Sequence, residues 1–303
     1  MNRTHSLFTG LLAMLLLIFA GGCDIIEDPY YEPEYLESLN ITADEQCLKD
    51  AQASDPFAGV TIEKKVFLEE MTGHKCGNCP AASDRAYEIY HDLYPGRVVF
   101  MGIHAGSLAT FSPAASKFYT NFTTPTGDEI YGELNDVGGV PYGMIDRVHK
   151  TNNSTLWRGQ VEEQLAEAPE AGLSIFNCYN ADSSTFTTVV DVKTLTDLTE
   201  NEYLSLFLVE DQIIDWQKDY RTPSKIDYDD YVHHFVLRGA INGTWGSRLS
   251  EEAIAADTRF TEVFSAQINA DHDVNNLYVI ALIYQKGSDE QVVRQVEIAP
   301  LVN

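Results

Sequence analysis

The sequence predicts an α/β domain followed by an all-β domain. An apolar run at residues 66–68, a helical stripe after two closely spaced cysteines, and a second apolar run at residues 97–103 form a strand–helix–strand pattern. From Gly172 onward, about seven short apolar or alternating runs are separated by polar turns, which is typical of an antiparallel β-sandwich. A chain of 303 residues is long enough for about two domains.

The expected boundaries follow from composition. They are a signal peptide at 1–22, an acidic tether at 23–58, the α/β domain at 59–169 and the β-sandwich at 170–303.

The charge balance excludes one large class of partners. The chain has 20 Lys and Arg against 46 Asp and Glu, a net charge of −26. Nucleic acid is not an expected partner, because phosphate binding requires a basic surface.

The N-terminus has the features of an exported, lipid-anchored protein. Arg3 precedes a short apolar run at residues 11–20, and Gly21 and Gly22 lie directly before Cys23. This order is typical of a secretory signal and resembles a bacterial lipobox, in which Cys23 becomes the lipidated first residue. The membrane is then a partner through the lipid. The alternative is ordinary signal cleavage nearby, which leaves Cys23 as an unmodified cysteine.

The segment after Cys23 is acidic and contains two prolines within residues 24–35. We therefore predict that it is mostly a tether. Asp24, Glu27 and Asp28 resemble the surface-export signal of Bacteroidetes lipoproteins, while a simple solvated linker is the alternative. The folded body is expected on the periplasmic or the cell-surface side of the outer membrane.

The chemistry of the sequence is concentrated in VFLEEMTGHKCGNCP, residues 66–80. Cys76 and Cys79 follow a strand and begin a helix, where unpaired N–H groups and the helix dipole favour a thiolate. This placement predicts thiol–disulfide exchange, with Cys76 as the nucleophile and Cys79 as the resolving cysteine. A permanent local disulfide is the main alternative. Zinc binding is a weaker alternative, because His74 is nearby but the sequence has no second CxxC motif to complete four ligands. We therefore expect neither a metal nor a cofactor.

Several neighbouring side chains are candidates for adjusting the thiolate. Lys75 places a cation beside the sulfur, and His74 adjoins it in sequence. Glu69 and Glu70 end the strand, so one of them is a candidate for a buried acid that moves protons for Cys79 while the other faces water. His104 follows the second strand and is a candidate proton carrier.

Two further cysteines lie far apart in the sequence. Cys47 and Cys178 form a possible disulfide if Cys23 is lipidated and Cys76 pairs with Cys79. A free Cys47 is the other possibility, and spacing alone does not choose between them.

The first domain resembles the thioredoxin fold. The resemblance rests on the order of strand, CxxC-Pro, helix, strand, insertion and then Gly139-Val140-Pro141. It implies a cis Val140–Pro141 bond facing the cysteine pair, with the backbone of Val140 and the adjacent Pro141 as the substrate-binding element. Lys75 replaces the usual aromatic residue before the first cysteine, and Gly77-Asn78 replaces the usual Gly-Pro.

At finer detail the chain resembles the Omp28-related outer-membrane lipoproteins of Bacteroidetes. The shared blocks are EEMTGHKCGNCPAA at 69–82, GGVPYGMIDR at 138–147 and HHFVLRGAINGTWG at 233–246. The resemblance implies an outer-membrane location. The second domain is expected to be an immunoglobulin-like sandwich. For the protein as a whole, two functions remain open. One is a thiol–disulfide oxidoreductase acting on exported proteins that contain cysteines, and the other is a non-catalytic binding or structural lipoprotein.

Overall fold

A computed structural model describes residues 43–302, except 54, 137, 225, 288 and 289. The predicted signal peptide, Cys23 and most of the predicted tether lie outside the described residues.

The helices are short and lie mainly in the first half of the chain. They are α1 (Glu45–Ala51), α2 (Cys79–Tyr87), α3 (Pro125–Leu134) and α4 (Trp157–Leu165). A π-helical segment, Glu88–Leu93, continues α2.

Strands make up most of the rest. They are β1 (Val66–Thr72), β2 (Val98–His104), β3 (Tyr142–Ile145), β4 (His149–Thr151), β5 (Ala171–Asn180), β6 (Thr185–Thr194), β7 (Glu202–Glu210), β8 (Ile213–Lys218), β9 (Asp227–His233), β10 (Val236–Ala240), β11 (Ser247–Arg248), β12 (Arg259–Gln267), β13 (Leu277–Lys286) and β14 (Gln291–Pro300). We predicted about seven strands after Gly172, and the described residues there contain ten. The architecture is mixed α/β with a β-rich second half.

The predicted strand–helix–strand unit is present. β1 and β2 pair in parallel from Val66 opposite Val98 to Thr72 opposite His104, and β3 pairs antiparallel to β1 on its other side. All seven residues of β1 and of β2 are buried, which is why β2 and the start of β1 appear as apolar runs; the two glutamates of β1 are buried as well. The cysteine motif therefore leaves the sheet at the carboxyl end of β1.

The main sheet crosses the boundary that we expected near residue 170. Its strand order is β14-β13-β7-β10-β2-β1-β3-β4, and β11 pairs with β7. The junction is the parallel contact of β10 with β2, where the Gly102 N–H donates to the Phe235 carbonyl at 2.9 Å. A side chain at Gly102 would meet the His234 carbonyl at 3.2 Å, so glycine permits this close approach. The β-rich half thus continues the α/β sheet.

A sandwich-like arrangement exists on one face of this sheet. The second sheet has the order β12-β6-β5 and packs on β7 and β13. Along β7, Leu204, Leu206 and Leu208 face this second sheet, while Phe207 and Val209 face the helical core. β7 is therefore buried on both faces, which removes the alternation that would have revealed its orientation.

Strands β8 and β9 form a separate two-stranded hairpin. We predicted one strand running from 231 to 237, but the structure breaks it between β9 and β10, where Phe235 has φ +46°. The break turns the chain from the hairpin into the main sheet.

Part of the predicted tether is folded. α1 lies within residues 24–58 and is capped by Asp44, whose carboxylate accepts from the N–H groups of Gln46 and Cys47. A disulfide joins Cys47 to Cys178 in β5. This covalent bond holds a seven-residue helix that is too short to be stable by itself.

Candidate redox site

The cysteine motif is two successive turns followed by a helix. The Cys76 N–H donates to the Gly73 carbonyl at 2.9 Å, and the Cys79 N–H donates to the Cys76 carbonyl at 3.3 Å. α2 begins at Cys79, and Pro80 occupies its first turn, where a missing N–H costs little. Cys76 and Cys79 are joined by a disulfide. The sulfurs thus lie at the helix N-terminus, as the sequence predicted.

The peptide bond between Val140 and Pro141 is cis, also as expected. The Sγ atom of Cys76 lies 3.8 Å from the Val140 carbonyl oxygen. The cis bond comes directly before β3, which pairs with β1, so the sheet itself brings the two loops together. Segments 64 residues apart in sequence therefore meet at the disulfide.

A buried acid, Glu70 in β1, contacts the helix that begins at Cys79. Its carboxylate is fully buried and accepts a hydrogen bond from Ser83 Oγ at 2.9 Å. Ser83 lies four residues after Cys79 in α2, so both project from the same side of the helix. Burial raises the pKa of Glu70 from 4.5 to about 8, and the Asp84 charge acts in the same direction against the Ser83 hydrogen bond. Glu70 is consequently protonated at neutral pH.

The structure gives Glu69 a different role from the one we predicted. Glu69 accepts two hydrogen bonds from Arg147, at 2.8 and 2.9 Å, in a pair that excludes solvent. We expected one of the two glutamates to face water, but both are buried, because Arg147 replaces the water on its side of the sheet. Of the two, Glu70 and not Glu69 lies next to the helix that carries Cys79.

Three histidines surround the ring of Phe122 near the motif. His74, His104 and His233 have ring centroids 5.7, 4.8 and 4.9 Å from it. Burial lowers the pKa of all three, to about 3 for His233 and well below the usual value for His104, so all are neutral at pH 7. We predicted roles for His74 and His104 from sequence. The packing partner His233 was visible only as part of a strand.

A cavity of about 260 Å³ lies between these groups and α2. Its walls include Glu70, Ser83, His104, Gln217, Tyr231 and His233. Glu70 thus borders the cavity although its side chain is only 1% exposed.

The loop after β2 supports one side of the motif. The Lys75 N–H donates to the Leu108 carbonyl at 3.0 Å, and Lys75 Nζ donates to Thr110 Oγ1 at 3.2 Å. The Thr110 carbonyl is 2.9 Å from His74 Nε2. A side chain at Gly73 would lie 2.6 Å from the Leu108 backbone, so only glycine fits there. Lys75 and His74 therefore help to fix the loop against the motif.

The β8–β9 hairpin covers the other side, which sequence reasoning missed. The Lys218 N–H donates to the His74 carbonyl and the Tyr220 N–H donates to the Gly77 carbonyl, both at 2.8 Å. The Tyr220 ring lies against Gly77, since a Cβ atom added there would be 2.4–2.5 Å from the ring. Cys76 and Cys79 are only 2% and 1% exposed.

The hairpin is also fixed to the helix that follows the motif. Arg221 forms an ion pair with Asp84 of α2 and a second one, at 2.6 Å, with Asp219. The mixed aromatic and acidic sequence of residues 213–233 carries no local signal for this docking, so no pattern in the sequence could have revealed it.

The described part of the chain contains neither a candidate metal site nor a candidate membrane-spanning helix. No group of three or more His, Cys, Asp or Glu side chains is arranged to hold a metal ion there. No helix of that part is both long and apolar enough to cross a bilayer.

Solved structures resemble the fold at low sequence identity. HBP35 of Porphyromonas gingivalis matches with a TM-score of 0.60 and 16% identity, over 80% of this chain and 76% of that chain. A protein from Agrobacterium tumefaciens matches with a TM-score of 0.48 and 12% identity, over 80% of this chain and 96% of that one. A domain of the outer membrane lipoprotein Omp28 from P. gingivalis matches with a TM-score of 0.27 and 17% identity, over 44% of this chain and 88% of that one.

No curated protein matches the sequence. The model of one family, described as outer membrane protein Omp28, matches residues 128–300. This match contains the cis peptide bond and the hairpin but begins after the cysteine motif, so it says nothing about redox chemistry. Because the match covers more than half of the 303 residues, the chain belongs to the Omp28 family of outer membrane proteins.

Proposed function

We propose that this outer membrane protein is a lipid-anchored, thioredoxin-like thiol–disulfide oxidoreductase that acts on exported proteins. The observation that carries the proposal is the contact of Cys76 Sγ with the Val140 carbonyl, 3.8 Å away, at a cis peptide bond. A sulfur at a helix N-terminus has a means of activation, and the adjacent backbone at Val140 is the proposed place for an extended peptide to bind.

The thioredoxin-like reading is supported by the order and pairing of the elements. Parallel β1 and β2, antiparallel β3 and the helix that begins at Cys79 occur in the order that the resemblance implies. The likeness to HBP35, at a TM-score of 0.60, concerns the fold alone.

The proposed reaction is a two-step exchange. The Cys76 thiolate attacks one sulfur of a client disulfide, forms a Cys76–client bond and expels the other client sulfur as a thiolate. The Cys79 thiolate then attacks Cys76 Sγ, which forms the Cys76–Cys79 disulfide and releases the second client thiolate. The client gains two electrons and the protein loses two. The reverse sequence oxidises a client dithiol.

Glu70 is the group best suited to exchange protons with Cys79. Its carboxyl group is protonated at neutral pH, lies on the Cys79 side of α2 and borders the cavity. A carboxyl with a pKa of about 8 is close in acidity to a thiol, so proton transfer between them is nearly balanced.

A trapping experiment tests the proposal. The variant Cys79→Ala leaves Cys76 without its resolving partner, so mixed disulfides with client proteins should accumulate during native expression. The double variant Cys76→Ala/Cys79→Ala is the matched control and should trap none. A Cys79→Ala protein that carries no clients argues against exchange.

The reactivity of Cys76 supplies a second test. After mild reduction, the rate of alkylation is measured against pH. We expect an apparent pKa below the free cysteine value of about 8.5, because the helix N-terminus stabilises the thiolate. A normal value would remove the basis for activation.

One observation favours the other candidate function, a non-catalytic binding lipoprotein. The sulfurs are almost fully buried beneath the hairpin, as in a structural disulfide. Resistance of the Cys76–Cys79 bond to dithiothreitol in the folded protein supports this alternative, whereas ready reduction supports exchange.

The lipid anchor is a separate part of the proposal, since Cys23 lies outside the described residues. Metabolic labelling with a fatty acid should mark the wild-type protein and not Cys23→Ala. Equal labelling of both would refute attachment through Cys23.

A further inference from the structure

We propose that Gln217 is a positioning residue that stabilises the closed ring of the Cys76–Cys79 disulfide and thereby sets its redox equilibrium. The proposal deepens the proposed function, since it assumes that the pair cycles between disulfide and dithiol. It requires no particular client.

The side-chain amide of Gln217 contacts the cysteine motif, although the two are far apart in the sequence. Its Nε2 atom lies 3.0 Å from the Cys76 carbonyl and 3.4 Å from the Gly73 carbonyl, 141 and 144 residues earlier. It lies 2.9 Å from the carbonyl of Lys218, its own neighbour. A primary amide has two N–H donors, so the three carbonyl oxygens share them, and the 3.4 Å contact with the Gly73 carbonyl is the weakest of the three.

The two distant carbonyls are the acceptors of the two turns that form the motif. The Gly73 carbonyl accepts from the Cys76 N–H, and the Cys76 carbonyl accepts from the Cys79 N–H. A single side chain therefore bridges the turn before Cys76 and the turn that contains the disulfide ring. The hydrogen bond from the Cys79 N–H to the Cys76 carbonyl, which closes the second turn, is long at 3.3 Å. The Gln217 amide is a second donor to the same oxygen and helps to fix the position of the Cys76 carbonyl.

Burial makes these contacts effective. Gln217 is 2% exposed, and flanking backbone bonds from Lys218 to His74 and from Tyr220 to Gly77 fix its position. Removal of the amide therefore takes a donor from the Cys76 and Gly73 carbonyls at a buried position, where lost hydrogen bonds are costly.

The expected direction follows from the entropy of ring closure. When the turns are held in place, Cys79 remains close to Cys76, and forming the S–S bond costs little conformational freedom. Without the amide, the dithiol form has more conformations available, so the equilibrium moves toward the reduced state. By linkage, reduction of the disulfide must in turn weaken the docking of the hairpin.

The test is the equilibrium of the full-length protein with the dithiothreitol couple. Protein disulfide plus reduced dithiothreitol gives protein dithiol plus oxidised dithiothreitol. The state of Cys76 and Cys79 is read by mass spectrometry of the alkylated peptide, which separates this pair from Cys47–Cys178. For Gln217→Leu we expect the equilibrium to favour the dithiol about tenfold more than in wild type. Tenfold corresponds to a potential about 30 mV less negative, since tenfold is 29.6 mV for two electrons.

The chain provides a matched control in Gln295. Gln295 is also 2% exposed, and its amide donates to the Glu63 and Ala171 carbonyls at 2.9 Å, away from the motif. Gln295→Leu removes two buried contacts of the same kind, together with the bond that Gln295 Oε1 accepts from the Lys65 N–H, and should leave the Cys76–Cys79 equilibrium unchanged. An equal shift in both variants, or no shift in Gln217→Leu, overturns the proposal.

A measurement on the wild-type protein guards against a variant that fails to fold. Hydrogen exchange at the Lys218 and Tyr220 amides should be faster when Cys76–Cys79 is reduced than when it is oxidised. Equal protection in both states overturns the proposal. Both tests are independent of client trapping, so an empty trap with a shifted potential refutes the client reaction alone.

Discussion

Glu69 and Glu70 are adjacent in β1, yet their carboxylates lie on opposite faces of the sheet in two different chemical states. Glu69 is bound by Arg147 through two hydrogen bonds, so its charge has a partner. Glu70 is fully buried without a counter-charge comparable to Arg147, so burial raises its pKa to about 8 against the Ser83 hydrogen bond, and its carboxyl keeps its proton at neutral pH. One residue step along a strand thus separates an ion-paired carboxylate from a carboxyl group that keeps its proton.

The state of Glu70 predicts how stability varies with pH. Between pH 4.5 and about 8, the unfolded chain has lost this proton and the folded protein still holds it. Rising pH therefore lowers the free energy of unfolding, by about 1.4 kcal/mol per pH unit from this group, and the loss levels off above pH 8. Glu70→Gln keeps a neutral side chain and should lose this slope, as measured by urea unfolding at several pH values.

Comparing the two proteins at each pH cancels the other titrating groups. The advantage of Glu70→Gln over wild type should grow steadily from pH 5 to 8. A constant difference across that range would mean that the Glu70 pKa is not raised in the folded protein.

Breaking the Glu69–Arg147 pair should be costly. Glu69→Gln leaves a buried guanidinium without its counter-charge, and loss of one partner of a buried pair costs about 3–5 kcal/mol. The midpoint of urea unfolding should fall accordingly. Glu162→Gln, which breaks the exposed i,i+4 pair with Arg158, is the control and should leave the midpoint unchanged. Similar effects of the two substitutions would contradict the assignment.

The close approach of Tyr220 to Gly77 predicts a test of the hairpin as a cover. Gly77→Ala places a methyl group in the space of the Tyr220 ring, so the hairpin must move. Reduction of Cys76–Cys79 by dithiothreitol should be at least about fivefold faster than in the wild-type protein. This is the factor that corresponds to a loss of about 1 kcal/mol in the docking energy of the hairpin. Tyr220→Ala should have a similar effect by removing the ring.

The two changes should not add. In Gly77→Ala/Tyr220→Ala the methyl group fits where the ring was, so the rate should equal that of Tyr220→Ala. Gly132→Ala in α3, where a Cβ atom meets nothing within 4 Å, is the neutral control. Unchanged rates in all variants would mean that reduction does not require the hairpin to move.

The second disulfide should affect stability alone. Cys47 and Cys178 are 131 residues apart, so the S–S bond restricts a large loop of the unfolded chain. Cys47→Ser/Cys178→Ser should lower the free energy of unfolding by about 2–4 kcal/mol, measured in urea. The redox equilibrium of Cys76–Cys79 should stay at its wild-type value. A change there would show that the two disulfides are coupled.

The local parts of the fold were predictable from the sequence. The apolar runs that became β1 and β2 and the helix after Cys79 are each specified within a few neighbouring residues, whereas the cis bond at Pro141 was expected only from the resemblance to the thioredoxin fold. Such signals depend on residue spacing and on chemistry that acts at short range.

The long-range parts were not predictable. The sheet continues through β10 because Gly102 permits close approach of the two backbones. A glycine in an apolar run does not indicate which strand will pair with it. Gln217 reaches the motif from 141 residues away, and nothing in its own neighbourhood marks it. Alternation along the strand places Glu69 and Glu70 on opposite faces but does not indicate which of them has a charged partner. Only the packing of Arg147 against Glu69 and of Ser83 against Glu70 distinguishes them.

The Cys47–Cys178 bond also determines where tension would enter the folded body. A pull on the chain ahead of residue 43 reaches Cys47, the third residue of α1, and passes through sulfur directly to β5. The rest of α1 and the connection to β1 are bypassed, because the disulfide already attaches Cys47 to the three-stranded sheet. Mechanical load at the N-terminal end therefore enters the folded body at β5 and its neighbours, not at the strand that leads into the cysteine motif.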